Sequence, residues 1–191
     1  MESLISLFKD KLCLDINHYE KFAVQLQTKS LKKKEYLIRE GSVCKFIGFV
    51  VSGTFRSYVQ NEKAQFNNDF YLDNDVVCAY TSFLTQMPTN CNIEALTDST
   101  IYFITQERLE RLVSEDIAFL KLSKYISDHY FIRKCKRETS FLKHSALERF
   151  ENLSTLFPGI EQQVSQYHIA SYLGIEAESL SRIKHLTYIN K

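Results

Sequence analysis

The spacing of apolar residues changes period twice along the chain, and each change marks a change of structure. Over residues 1 to about 28 the apolar positions Leu4, Leu7 and Phe8, then Tyr19, Phe22, Ala23 and Leu26, fall at helical intervals. From Tyr36 to Thr105 they give way to short runs rich in Val, Ile, Phe and Tyr, which predict strands. Gly41, Gly53 and the cluster Asp73-Asn74-Asp75 punctuate these runs, and Phe66, Asn68, Phe70 and Leu72 alternate in the manner of a half-buried strand. Many short strands separated by turn residues predict a closed or rolled antiparallel sheet. Helical spacing returns at about Gln106. The stretch from Ser114 to about Leu142 is poor in glycine and free of proline, so a single helix of several turns is expected there.

That helix carries more apolar surface than one packed face requires. At about 100° per residue, Phe119, Leu122, Tyr125, Ile126, His129, Tyr130 and Ile132 spread over roughly 160° of its circumference. Either the helix lies wholly against its own barrel, or Leu122, Ile126 and His129 serve a second copy; the pattern has no clean heptad. Further along, Gln166 to Ile175 followed by Glu178 to Ile183 has the spacing of a helix-turn-helix. Ile169, Leu173, Ile175, Leu180 and Ile183 supply a small shared core, with Ala170 at the closest approach. Gly174 falls at the turn, where a left-handed residue is often needed, and Ser165 stands at the first helix's N-cap. The second helix then presents Ala177, Glu178, Ser181 and Arg182 outward.

The segment QYHIASYLGIEAESLSRIK, from Gln166 to Lys184, resembles the DNA-reading segment of the cyclic-AMP-receptor and fumarate-nitrate-reduction regulator (Crp/Fnr) family. Upstream, SALERFENLSTLFP (Ser145 to Pro158) is similar to the helix these regulators place just before it. Tyr36 to Val59 and Ile93 to Leu112 resemble parts of their sensor barrel, so the likeness covers nearly the whole chain. It implies an α+β fold: an antiparallel β jelly-roll sensor domain like a cyclic nucleotide-binding domain over 1–113, a long connecting and dimerisation helix over 114–142, and a winged-helix-like helix-turn-helix domain over 143–191. The wing itself is expected to be short or missing, because the chain stops eight residues after Ile183. The implied function is transcription regulation as a homodimer, with double-stranded DNA, a small effector and RNA polymerase as partners. The implied DNA contacts are Ser165, Ala177, Glu178, Ser179, Ser181 and Arg182. Arg182 would address guanine and Glu178 cytosine, while Ser165 and Ser179 would touch phosphates. Ala177 departs from relatives that carry arginine there.

The sensor region departs further. Cyclic-nucleotide binders of this family carry a Gly-Glu pair for the ribose and an Arg-Ser or Arg-Thr pair for the phosphate; the matching positions here are Cys78-Ala79 and Thr89-Asn90. A buried phosphate without those donors would lose its charge-assisted bonds, so cyclic AMP is not the expected effector. Tyr71, Tyr80, Thr81, Thr89 and Asn90, with Tyr125 and His129 from the long helix and Arg56 as a cation, would line a pocket suited to a largely apolar or aromatic ligand. The same aromatic residues are equally suited to be plain core.

Composition is that of an ordinary globular chain: 191 residues, 45% hydrophobic and 25% charged, with a net charge of +1. No long apolar run suits a membrane span, and the acidic start Met1-Glu2-Ser3-Leu4 is unlike a secretory signal, so a cytoplasmic location is expected. The cysteines Cys13, Cys44, Cys78, Cys91 and Cys135 are widely spaced without a CxxC pair, which predicts reduced thiols and neither disulfides nor a metal site. Only Cys13 lies where iron-sulfur relatives cluster theirs, and a lone helical His129 is a poor case for haem, so no cofactor is expected. All five histidines (His18, His129, His144, His168, His185) lie outside the strand region, which argues against a metal-dependent enzyme. From Lys143 onward acids and bases balance, Lys191 among the latter, so a basic footprint is missing apart from Arg133, Lys134, Lys136 and Arg137. That balance keeps open an alternative, a sensor or adaptor whose C-terminal helices contact protein rather than DNA.

Overall fold

The computed structural model describes residues 2–189, with side chains over residues 4–185; any wing beyond this point, and Lys191, lie outside the described residues. Helices α1 (Glu2–Ser6) and α2 (Ile16–Ala23), joined by a π turn at Leu7–Lys11, lead into the strands. These are β1 (Gln27–Leu31), β2 (Tyr36–Ile38), β3 (Phe46–Ser52), β4 (Phe55–Gln60), β5 (Gln65–Tyr71), β6 (Val76–Val77), β7 (Asn92–Ala95) and β8 (Ser99–Thr105). Helix α3 (Tyr80–Thr85) lies between β6 and β7. After β8 come α4 (Gln106–Glu115), α5 (Leu120–Lys143), α6 (Ala146–Leu156), α7 (Ile160–Gln163), α8 (Gln166–Leu173) and α9 (Ala177–Ile189). No helix among the described residues is long and apolar enough to cross a membrane.

The strands form two four-stranded antiparallel sheets, ordered β1-β8-β3-β6 and β2-β7-β4-β5, in the jelly-roll manner. Phe55 and Ile93 from one sheet share a core with Ile47, Ile101 and Ile104 from the other. Strand β3 reads as a nearly continuous apolar run because it is covered on both faces; Phe22 of α2 meets Phe49 edge-on at 5.7 Å. Gly53, at φ +104°, turns the chain from β3 into β4 where any side chain would run into Ser99.

Strand β5 does not alternate as its sequence predicts. Its pairing with β4 slips between Ser57 and Tyr58, so that Ser57 faces Asp69 while Tyr58 faces Asn67. A bulge of this kind changes which face each later side chain takes. Phe66 is consequently exposed, Tyr71 enters the barrel core, and Phe70 and Leu72 join a second core with the C-terminal helices.

The long helix starts at Leu120 rather than Ser114. Asp116 interrupts it: the residue is extended and its carboxylate accepts from Ala118 N at 3.0 Å, capping a 3₁₀ turn over Ile117–Phe119. Leu122 and Ile126, expected at a dimer face, are 0% and 1% exposed because they hold α5 to its own barrel. His129 is half-buried on the same side. The apolar surface left outside is instead Leu120, Phe131 and Leu142, which fall on one stripe at helical spacing, flanked by Ile132 and Phe141; Phe131 is 70% and Leu142 83% exposed.

Candidate functional site

A cavity of about 420 Å³ opens between the second sheet, α3, α5 and α8, a size suited to a small molecule. Five residues expected in a pocket line it: Tyr71, Tyr80, Thr81, Thr89 and Asn90. Cys78 and Ala79 lie on the same wall, so both segments that depart from the cyclic-nucleotide pattern meet here. Tyr80 stacks on Tyr130 of α5, rings 4.7 Å apart and nearly parallel, and the Tyr130 hydroxyl donates to the Val76 carbonyl at 3.0 Å. The side-chain oxygen Oδ1 of Asn68, also on this wall, is buried without a hydrogen-bond partner.

Arg56, Tyr125 and His129 are not brought to this cavity. Tyr125 lines a smaller crevice of about 190 Å³ beside the N-terminal helices. His129 lies between the rings of Tyr125 and Tyr130, and burial, aided by the Arg133 charge, lowers its pKa. Arg56 lies on the next position of β4 from the cavity residue Ser57, so it points to the other face, where its Nη2 meets Glu94 at 2.7 Å.

Sequence reasoning missed the cationic side of the cavity. Arg133, Lys134 and Arg137 line it, although their charges suggested a DNA footprint. Arg133 pairs with Asp69 at 2.7 Å and Asp75 at 3.7 Å and donates to the Phe70 carbonyl. Burial works against its charge, yet the two carboxylates hold the guanidinium pKa above its ordinary value; Asp69, largely buried, is itself pushed up by burial despite Arg133. Arg137 donates to Tyr172 O at 3.0 Å and Asn67 O at 3.1 Å, its guanidinium stacked 4.2 Å over the Tyr172 ring. Lys134 has no carboxylate partner among the described residues and is exposed at the mouth. The available signal was periodicity: Ile126, Tyr130, Arg133 and Arg137 share one face of α5.

The C-terminal helices form the second candidate surface. Ser165 caps α8, accepting from His168 N, and Gly174 ends it in the left-handed region at φ +69°. A Cβ at Gly174 would meet Phe141 Cε1 at 2.7 Å, so glycine answers both the conformation and the close approach. Leu180 of α9 is fully buried in the core shared with α6 and α8, and Lys184 fastens α9 to Glu161 of α7 at 2.5 Å. Glu178, Ser181 and Arg182 are exposed together at helical spacing, with Ala177 and Ser179 half-buried beside them. Arg182 Nη2 is 3.4 Å from Ser179 Oγ.

Helix α8 is also docked on the barrel. Asn67 N donates to Ser171 Oγ at 3.0 Å, Asn67 Nδ2 to His168 O at 3.0 Å, and Arg56 Nη1 lies 3.2 Å from His168 Nδ1. A guanidinium only donates, so the imidazole must present a lone pair at Nδ1 and be neutral. Burial, with Arg56 adding to it, lowers the His168 pKa to about 4.

Residues 28–116 match the family model described as a cyclic nucleotide-binding domain. No curated protein matches the sequence significantly. Among solved structures, FixK2 from Bradyrhizobium japonicum aligns at 18% identity over 86% of this chain and 85% of its own, with a TM-score of 0.73. A CooA mutant from Carboxydothermus hydrogenoformans aligns at 19% identity over 93% and 82%, TM-score 0.69. A putative transcriptional regulator of the Crp/Fnr family from Eubacterium rectale aligns at 16% identity over 98% and 88%, also at 0.69. The chain thus shares its fold with those structures, and its residues 28–116 are similar to a cyclic nucleotide-binding domain.

Proposed function

We propose that the protein is a DNA-binding transcription regulator of the Crp/Fnr kind, without catalytic activity, controlled by a small effector other than cyclic AMP. The observation that carries this reading is the pair α8 and α9, joined through a left-handed glycine, with Glu178, Ser181 and Arg182 exposed on one face of the second helix. An effector in the cavity would touch α5 and Tyr172 of α8 together, so it would favour one placement of the DNA-reading helices over another. Arg133 is paired with Asp69 and Asp75, and Arg137 is turned to the carbonyls of Tyr172 and Asn67, so neither stands as the free arginine of an Arg-Ser or Arg-Thr pair. The stripe Leu120, Phe131 and Leu142 is the surface through which we expect a second copy to pair.

Selection from random duplexes tests the reading directly. It should enrich a pseudo-palindrome with half-sites about 34 Å apart, one helical turn. Enrichment of no sequence, with or without cell extract as effector source, would shift the C-terminal helices to the protein-contact reading that their docking on β5 favours. Calorimetry with cyclic AMP should show no binding at about 1 mM ligand.

A further inference from the structure

Three of the five cysteines are buried, and two of those meet. Cys44 lies between β2 and β3 and Cys78 directly follows β6; their sulfurs are 3.6 Å apart, each 3.3 Å from the Phe46 carbonyl oxygen. The pair is held from both sides. Cys44 N donates to Ser82 Oγ at 3.0 Å, and the Cys78 carbonyl lies 3.5 Å from the Tyr130 hydroxyl. Cys78 is also part of the cavity wall, with Cys44 behind it.

We propose that Cys44 and Cys78 are a redox-active dithiol, closed to an intramolecular disulfide by a small hydroperoxide that enters the cavity. A disulfide bond is about 2.0 Å long, so the sulfurs must approach by about 1.5 Å. Hydrogen bonding from Cys78 brings the Cys44 thiol down to about 7 against its burial, while burial holds Cys78 well above the ordinary thiol range. Near neutral pH a fraction of the pairs therefore carries one proton between the two sulfurs. As Cys78, on the cavity side, attacks the terminal peroxide oxygen, its proton passes to the Cys44 thiolate. The O–O bond breaks, and the alkoxide or hydroxide released takes a proton from solvent. Cys44 sulfur then attacks the Cys78 sulfenic acid; the S–S bond forms, the S–O bond breaks, and the departing hydroxide leaves as water with the Cys44 proton. Two thiols lose two electrons, and one hydroperoxide becomes an alcohol and water.

A soft metal ion is the other ligand two thiols suggest, and the surroundings disfavour it. No third ligating side chain joins them among the described residues, and no cation contributes to the shift of either thiol. A bis-thiolate complex would bury a negative charge there, whereas a disulfide is neutral. Helix α3, which carries Tyr80 and Thr81 of the cavity wall, starts two residues after Cys78, so oxidation would reshape the cavity; this inference does not depend on DNA binding.

The test uses the full chain with the exposed thiols removed (C13S/C135S), treated with hydrogen peroxide and then denatured for thiol titration and peptide mapping. Three titratable thiols should fall to one, with Cys44 and Cys78 recovered as one cross-linked peptide that dithiothreitol releases. Adding C78S should abolish the cross-link and leave no more than sulfenic acid on the remaining cysteines. Three thiols persisting after treatment, a cross-link that includes Cys91, or direct passage of Cys78 to sulfinic acid without a cross-link would each overturn the proposal.

Discussion

Arg133 and Arg137 on α5, and Arg182 on α9, are the same side chain in opposite situations. The first two are half-buried, paired with Asp69 or stacked on Tyr172, and their donors are committed to carbonyls of β5 and α8. Arg182 is exposed, and its guanidinium reaches a hydroxyl, Ser179 Oγ, 3.4 Å away on its own helix. The contrast separates charge that builds the protein from charge left to meet a partner. An engaged guanidinium positions the helix-turn-helix against the barrel, and an open one is what a base edge or phosphate can use.

The largest expected effect comes from breaking the engaged side. Arg133→Ala leaves the Asp69 carboxylate without its cation, and because the pair keeps some contact with solvent the loss should lie at or below the lower end of the about 3–5 kcal/mol of a buried pair. Urea unfolding should show that loss for Arg133→Ala, and a change within about 0.5 kcal/mol for Arg182→Ala at its exposed site. Equal losses for the two variants would remove the distinction between them.

Acid should loosen the same junction. His168 has its folded pKa lowered to about 4 from an ordinary value of 6.5. Between those two values the unfolded chain holds the extra proton and the folded one does not, so stability falls as pH falls through that window. The full shift corresponds to a loss on the order of 3 kcal/mol. His168→Gln should flatten that part of the pH–stability curve; an unchanged curve would mean that neither burial nor Arg56 holds the imidazole neutral.

On the open side, Arg182→Ala should weaken DNA binding by about 1–3 kcal/mol and relax preference at one position of each half-site. Competition between the selected duplex and single-base variants measures both. Loss of affinity spread evenly over all variants would reassign Arg182 to phosphate.

The open side was legible in the sequence and the engaged side was not. Apolar spacing from Ile169 to Ile183, a glycine at the turn and a serine before the helix are local signals, and the described helices follow them. The cavity depends on pairings between distant segments. Thr89 and Asn90 could be placed by their resemblance to a known element, whereas the bulge that turns Phe70 away from the barrel comes from the β4–β5 register, which the spacing of β5 alone does not contain. The same holds for Arg56, whose neighbours Glu94 and His168 lie 38 and 112 positions away. Arg133 and Arg137 were misread because a charge run says how many cations there are, and only the packed face of α5 says where they point.

Ser165 gives the smallest expected effect and the finest division between the two kinds of group. It stands where a phosphate contact was expected, yet its hydroxyl already caps α8 by accepting from His168 N at 3.4 Å. A hydroxyl that accepts from the helix can still donate outward, so the two roles are compatible and separable by measurement. Ser165→Ala should cost about 1 kcal/mol of stability through the lost cap, and Ser165→Asp should recover it because a carboxylate caps as well. The carboxylate has no proton to donate and would repel a phosphate. Ser165→Asp should therefore keep the stability of the parent while weakening binding to every duplex alike. Recovery of both properties in Ser165→Asp would show that the hydroxyl serves the helix alone.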